Sequence, residues 1–150
     1  MAFTFRLERV LTIRRQALEK ARLAVIAAQS ELIKAQKHVE SVKFELKEKH
    51  DELIESNYAM AENYLRVIKT LDKKLAQAQK ELLQREQDLE NKKHELIEAQ
   101  KKLEALEKLR EKQEEEYILE ESRLEQRLTD ERVTMKFAND MYANQEEIEV

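Results

Sequence analysis

Apolar residues recur every seven positions along the first third of the chain. This row, called a, is filled without interruption by Leu11, Leu18, Val25, Leu32, Val39, Leu46 and Leu53. The row three residues on, called d, holds Arg14, Ala21, Ala28, Ala35, Val42, Lys49 and Ser56. A seven-residue apolar repeat keeps one narrow helix face against a partner helix and is typical of a left-handed coiled coil.

A second heptad repeat follows in a different phase. Its a row is Ala61, Ile68, Leu75, Leu82, Leu89, Leu96 and Leu103, and its d row is Tyr64, Leu71, Ala78, Arg85, Lys92, Ala99 and Leu106. The step from Leu53 to Ala61 is eight residues, so the apolar face does not continue across it. We predict a turn near residues 55–61, because Ser56 and Asn57 are residues whose side chains bond the neighbouring backbone.

Folding the chain at this turn brings the two repeats into register. Ala28 then faces Leu89, Ala35 faces Leu82 and Val42 faces Leu75, so that small side chains oppose large ones. Two layers are imperfect, since Arg85 and Lys92 occupy d positions; long basic side chains can place their charges in water. The pattern therefore predicts an all-α fold, a long two-helix antiparallel coiled-coil hairpin.

The same register predicts a C-terminal overhang, the part of helix two beyond about residue 114, with no counterpart in helix one. Its apolar residues Tyr117, Leu124, Leu128 and Met135 keep helical spacing and require burial elsewhere. We expect a single coiled-coil domain with helix one at about 3–55, helix two at about 60–138, and a frayed acidic tail at about 139–150.

Composition agrees with long helices and excludes several classes of protein. Among 150 residues there is no Gly, Pro, Cys or Trp, and 40% are charged, with a formal net charge of −4. The absence of Gly and Pro disfavours folds with many turns, and interspersed charges of both signs disfavour nucleic acid as a partner. Without Cys there is no disulfide framework. Charged residues occur within the first ten positions, which predicts no secretory signal. No apolar run is long enough for a transmembrane segment. A cytoplasmic protein is therefore expected.

Catalytic chemistry is not indicated, and we expect no enzyme activity, cofactor or metal. His38, His50 and His94 do not oppose one another in the predicted register, so solvated surface histidines are expected. A hairpin offers no cleft to shift carboxylate pKa values. Without Gly there is no phosphate-binding loop.

Two ends of the hairpin carry candidate contacts. Basic residues crowd the start of helix one beside apolar ones, which predicts a docking end; a membrane-surface helix is the competing interpretation. Near the turn, several apolar residues lie off the core positions and form either a contact site or a cap on the tip. The residues at the start of helix one are Phe3, Phe5, Arg6, Leu7, Arg9, Arg14 and Arg15. The tip group near the turn is Phe44, Tyr58, Met60, Leu65 and Val67.

Three stretches of the chain resemble the flagellar export protein FliJ family. They are residues 5–11 (FRLERVL) with Ile13 and Arg14; Asn63, Tyr64, Ile68, Thr70, Leu71, Lys73 and Gln77; and residues 106–110 (LEKLR) with Glu115, Glu116, Tyr117, Asp130, Glu131, Phe137 and Ala138. The matches occur in family order and cover nearly the whole chain.

The resemblance implies a component of the flagellar type III export apparatus that serves motility. Members of this family are similar to the central stalk of rotary ATPases: they sit in a hexameric export ATPase, promote its assembly and activity, and contact the membrane export gate protein. They are also described as chaperones or escorts of export chaperones. Such a protein associates peripherally with the inner-membrane apparatus.

The resemblance also assigns site residues. An ATPase-docking end is implied at Phe5, Arg6, Leu7, Arg9, Val10, Arg14, Asp130, Glu131 and Phe137. An export-gate contact is implied at Phe44, Val67, Leu71 and Ala78, joined by Tyr58 and Leu65 of the tip group. An equivalent stalk of a virulence type III secretion system, a passive coiled-coil scaffold and a lipid-surface helical protein are the alternatives.

Overall fold

The computed structural model contains two long helices packed against each other and describes residues 2–149, with side-chain burial for residues 2–146. Helix α1 is Glu8–Glu55 and helix α2 is Tyr58–Glu149. The predicted all-α helical hairpin is confirmed. The chain divides into a hairpin unit, Thr12–Leu103, and a terminal unit, Met1–Leu11 with Glu104–Val150.

The turn between the helices is two residues long and consists of Ser56 and Asn57. The Ser56 hydroxyl donates to the Leu53 carbonyl at 2.7 Å, which satisfies a carbonyl at the end of α1. The Asn57 Oδ1 atom accepts from the Met60 N–H at 3.1 Å, so that Asn57 is the N-cap of α2. Among the described residues none has positive φ, and the turn therefore forms without glycine.

The core of the hairpin unit follows both heptad repeats. Leu18, Val25, Ala35, Val39 and Val42 of α1 are buried, as are Ile68, Leu71, Ala78, Leu89 and Leu103 of α2. Arg85 and Lys92 are half-buried at their d positions and direct their charges to residues of their own helix, such as Glu81 and Glu95. These contacts explain how basic residues fit a core row.

A shallow groove along the hairpin unit supports the predicted register. Ala24, Ala27 and Ala28 of α1 line it together with Asp88, Asn91 and Lys92 of α2. The predicted partner of Ala28, Leu89, is buried in this part of α2.

The helix ends differ from the expected positions in two places. Helix α1 begins at Glu8 rather than near residue 3, because the first residues form a separate arm whose turn bonds the Phe5 carbonyl to the Glu8 N–H at 3.2 Å. Helix α2 continues past residue 138 to Glu149. Fraying of the tail in solution stays a prediction, and Val150 lies outside the described residues.

Candidate functional site

The N-terminal arm, residues 2–7, lies alongside α2 within the terminal unit. The Phe3 ring lies 5.6 Å from the Tyr117 ring, centroid to centroid, at an interplanar angle of 47°. Phe5 is only 5% exposed and Leu11 is fully buried. Burying such side chains stabilises a fold by about 1.5–3 kcal/mol each, so the arm closes the apolar core of the terminal unit.

Polar contacts accompany the arm. The Glu8 Oε2 atom lies 3.4 Å from the Arg110 Nε atom, a partly exposed ion pair of the kind that contributes about 0–1 kcal/mol. The Tyr117 hydroxyl donates to Glu121 Oε1 at 2.8 Å, and this bond to a carboxylate raises the pKa of Tyr117 above its ordinary value. The first contact joins the start of α1 to α2, and the second lies within α2 at the residue that the Phe3 ring meets.

The residues predicted for the ATPase-docking end differ in exposure. Arg6 and Arg9 are exposed, and Leu7 and Val10 are half-buried. Phe5 is buried and therefore holds the arm in place in this conformation. The basic side chains are thus the part of this segment that faces solvent.

The overhang supplies the other predicted docking residues of the terminal unit. Every described side chain from residue 118 to residue 146 is exposed, including Asp130 and Glu131. Phe137 is 66% exposed, which is unusual for a large aromatic side chain. Large exposed apolar side chains of this kind are available to a partner.

Arg14, the remaining predicted docking residue, belongs to the hairpin unit. It is half-buried and lines a groove with Ala17, His94, Glu95, Glu98, Ala99 and Lys102.

The predicted gate-contact residues divide into exposed and buried groups. Phe44, Tyr58, Leu65 and Val67 are exposed, whereas Leu71 and Ala78 are core residues at 8% and 3% exposure. Leu65 and Val67 are two residues apart on α2 and so point in roughly opposite directions. The exposed residues are therefore distributed around the end of the hairpin.

Sequence reasoning missed the contact between the arm and Tyr117. The available signal was the alternation of Phe3, Phe5 and Leu7 with polar residues, which indicates an extended segment rather than a helix. Tyr117 was assigned to the unpaired stripe, but it is half-buried.

The described residues contain no group of three or more His, Cys, Asp or Glu side chains placed to hold a metal ion. In that same part of the chain no helix is both long enough and apolar enough to cross a membrane.

Comparison with known proteins identifies a family. The model of the flagellar FliJ protein family matches residues 3–141, which is most of the chain. Searches of curated proteins and of solved structures each returned no match. The matched region includes α1, α2 as far as residue 141, and residues 3–7 of the arm. The chain therefore belongs to the flagellar FliJ protein family.

Proposed function

We propose that this component of the flagellar type III export apparatus docks in the hexameric export ATPase through its terminal unit, in the manner of a central stalk. It has no catalytic role of its own in this proposal and promotes assembly and activity of the ATPase. Membership of the FliJ family makes the chain a component of the flagellar type III export apparatus. The finer assignment rests on the surfaces of the terminal unit.

The exposed apolar overhang is the observation that carries the docking proposal. Leu124, Leu128, Met135 and Phe137 are all about half exposed or more, and a free helix with this surface requires a partner. Removing such side chains from water contributes about 25 cal/mol per Å² of apolar area. Arg6 and Arg9 add exposed positive charge in the same unit.

The tip of the hairpin unit is assigned to the membrane export gate protein and to export chaperones. Phe44 and Tyr58 are 63% and 98% exposed, and they lie on different helices. Apolar side chains that the fold does not need are available to a partner. Contact with the gate would place the chain at the inner membrane as a peripheral component.

Truncation tests the docking proposal. A chain that ends at Tyr117 keeps both core rows of the hairpin but lacks the exposed part of the overhang. We expect it to retain thermal unfolding of the hairpin, measured by circular dichroism, and to lose stimulation of ATP hydrolysis by the purified flagellar export ATPase. Full stimulation by the truncated chain would contradict the proposal.

A second variant replaces apolar residues of the overhang while keeping the length of α2. Leu124→Ser with Leu128→Ser, Met135→Ser and Phe137→Ser removes the four exposed apolar side chains that carry the proposal and leaves the rest of α2 in place. We expect this variant to behave like the truncated chain. Normal stimulation by it would assign docking to features of the overhang other than its apolar residues.

A further inference from the structure

The arm buries alternate side chains within the terminal unit. Phe5 is 5% exposed, and Phe3 and Leu7 on either side of it are half-buried. Thr4 and Arg6, which lie between them, are exposed. Alternate burial is the pattern of a segment that is not helical, because successive side chains then point to opposite sides. The odd-numbered residues are therefore the ones that hold the arm in place.

A helical arm would bury a different set of residues. When the heptad of α1 is continued backwards, Thr4 falls in row a and Leu7 falls in row d. Phe5 then takes the position after row a, which Ile26 and Ile33 occupy farther along α1. Those two side chains are 61% and 50% exposed. A helical start would thus exchange a buried Phe5 for a buried Thr4, while Leu7 is covered in both arrangements.

The sequence of the arm permits the helical arrangement. Residues 3–7 contain neither Gly nor Pro. The Phe5 carbonyl already accepts a hydrogen bond from the Glu8 N–H at 3.2 Å, an i,i+3 bond of the kind found in the terminal turns of helices. Leu11, one turn into α1, is fully buried and fixes the start of the helix. A change of conformation would therefore be confined to the residues before Glu8.

The core layers that a helical arm would add are weak. In the predicted register Thr4 faces Gln113 and Leu7 faces Arg110, so each layer contains a polar side chain. Burying the Phe5 ring removes more apolar area from water than burying Thr4 does. These two effects favour the arrangement in the structure, and both depend on the side chains at positions 4 and 5.

We propose that the arm is a conformational switch with two arrangements. In the closed arrangement, which the structure shows, Phe5 is buried and Phe3 lies against Tyr117. In the open arrangement α1 begins near residue 3, Thr4 faces α2 and Phe5 points to solvent. Phe5 then lies one turn from Arg9, which is exposed, so that an aromatic and a basic side chain become available together.

This inference goes beyond the proposed function and does not depend on it, because it concerns the arm of the free chain. A partner that binds Phe5 and Arg9 together shifts the arm to the open arrangement, since a ligand favours the state that it binds better. The switch thereby controls whether an aromatic side chain joins the exposed basic residues of the terminal unit.

Substitution of Thr4 in the full chain tests the switch, because Thr4 is exposed in the closed arrangement and faces α2 only in the open one. The leucine of Thr4→Leu is buried by opening alone, so this variant should shift toward the open arrangement. In nuclear magnetic resonance spectra the Cα chemical shifts of residues 3–7 should move toward helical values. The Phe5 ring, one of four Phe rings in the chain, should lose its contacts with buried neighbours.

Thr4→Gln is the matched control, since Gln is also a strong helix former but is not apolar. It should move the Cα shifts much less than Thr4→Leu does. Phe5→Leu keeps an apolar side chain at the buried position and should leave the arm closed. Thr4→Leu/Phe5→Ala, which also removes the ring that holds the arm closed, should complete the change to helix.

The inference is overturned if Thr4→Leu leaves the Cα shifts of the arm unchanged, or if Thr4→Gln moves them as far. It is also overturned if Thr4→Leu/Phe5→Ala releases the arm without forming helix, or if residues 3–7 of the parent chain are already helical. Circular dichroism should show that the two long helices persist in every variant.

Discussion

At the scale of single residues, the turn shows how a chain without glycine reverses direction. The Ser56 hydroxyl donates to a carbonyl at the end of α1, and the Asn57 side chain accepts from an N–H at the start of α2. A side chain therefore satisfies a backbone group at each helix end. These residues are expected to form the turn because Ser and Asn side chains hydrogen-bond the neighbouring backbone. The role of Asn57 as an N-cap, rather than as a left-handed residue, is visible only in the structure.

Replacing the cap should weaken the hairpin. Asn57→Ala removes the acceptor of the Met60 N–H bond, and loss of an N-cap costs about 1 kcal/mol. Thermal unfolding followed by circular dichroism should show a lower Tm. Asn57→Asp, which keeps an acceptor oxygen, is the control, and equal Tm values for Asn57→Ala and the parent chain would remove the cap from this account.

The tip side chains should matter to a partner and not to the fold. Phe44→Ser with Val67→Ser changes two exposed residues, so we expect Tm to stay nearly constant while flagellar export and binding to the gate protein fall. Export is measured by secretion of flagellar proteins and by motility in cells. A variant that unfolds early would show a structural role, and a stable, fully motile variant would remove the tip from the mechanism.

At the scale of elements, the two heptad rows predict nearly all of the hairpin core. Leu18, Val39, Ile68 and Leu89 are buried where the repeats place them, because the seven-residue period leaves each helix one narrow apolar face. The heptad pattern does not predict the arm, because residues 2–7 lie outside both helices and a heptad repeat indicates helical segments only. Helix α2 continues to Glu149, since the Met, Ala, Gln and Glu residues of the tail are good helix formers.

The predicted register of the helices can be tested by crosslinking. Ala28→Cys with Leu89→Cys places two thiols in opposing core positions of a chain that has no other cysteine. In dilute solution an intramolecular disulfide should form rapidly, detected as a mobility change on a non-reducing gel.

The control places the second cysteine one heptad away, as Ala28→Cys with Leu96→Cys, and should crosslink much more slowly. Crosslinks found only between chains would mean that the two repeats pair between molecules and not within one.

At the scale of the whole molecule, the two units divide the proposed contacts. The terminal unit carries the arm, the exposed basic residues Arg6 and Arg9, and the overhang, and it is assigned to the ATPase. The hairpin unit carries the exposed tip residues and is assigned to the gate. Composition and the heptad repeats predict a coiled coil but do not indicate its function. The family match to residues 3–141 identifies a component of the flagellar export apparatus.

Candidate site residues were harder to predict than the fold. Arg6, Arg9 and Phe137 are exposed as a docking surface requires, but Phe5, Leu71 and Ala78 are buried. A sequence pattern does not distinguish an apolar residue that meets a partner from one that completes the core. That distinction depends on the fold of the arm and on the depth of each core layer.

The central claim is that the terminal unit engages the export ATPase, and ATP hydrolysis by the purified hexameric enzyme tests it most directly. The parent chain should stimulate hydrolysis, and Arg6→Glu/Arg9→Glu should lose most of that stimulation without loss of helicity, because the proposal gives these exposed positive charges a part in docking. Lys20→Glu/Lys37→Glu, an equal charge change at exposed residues of the hairpin unit, should stimulate like the parent chain. No stimulation by the parent chain, or full stimulation by Arg6→Glu/Arg9→Glu, would contradict the account.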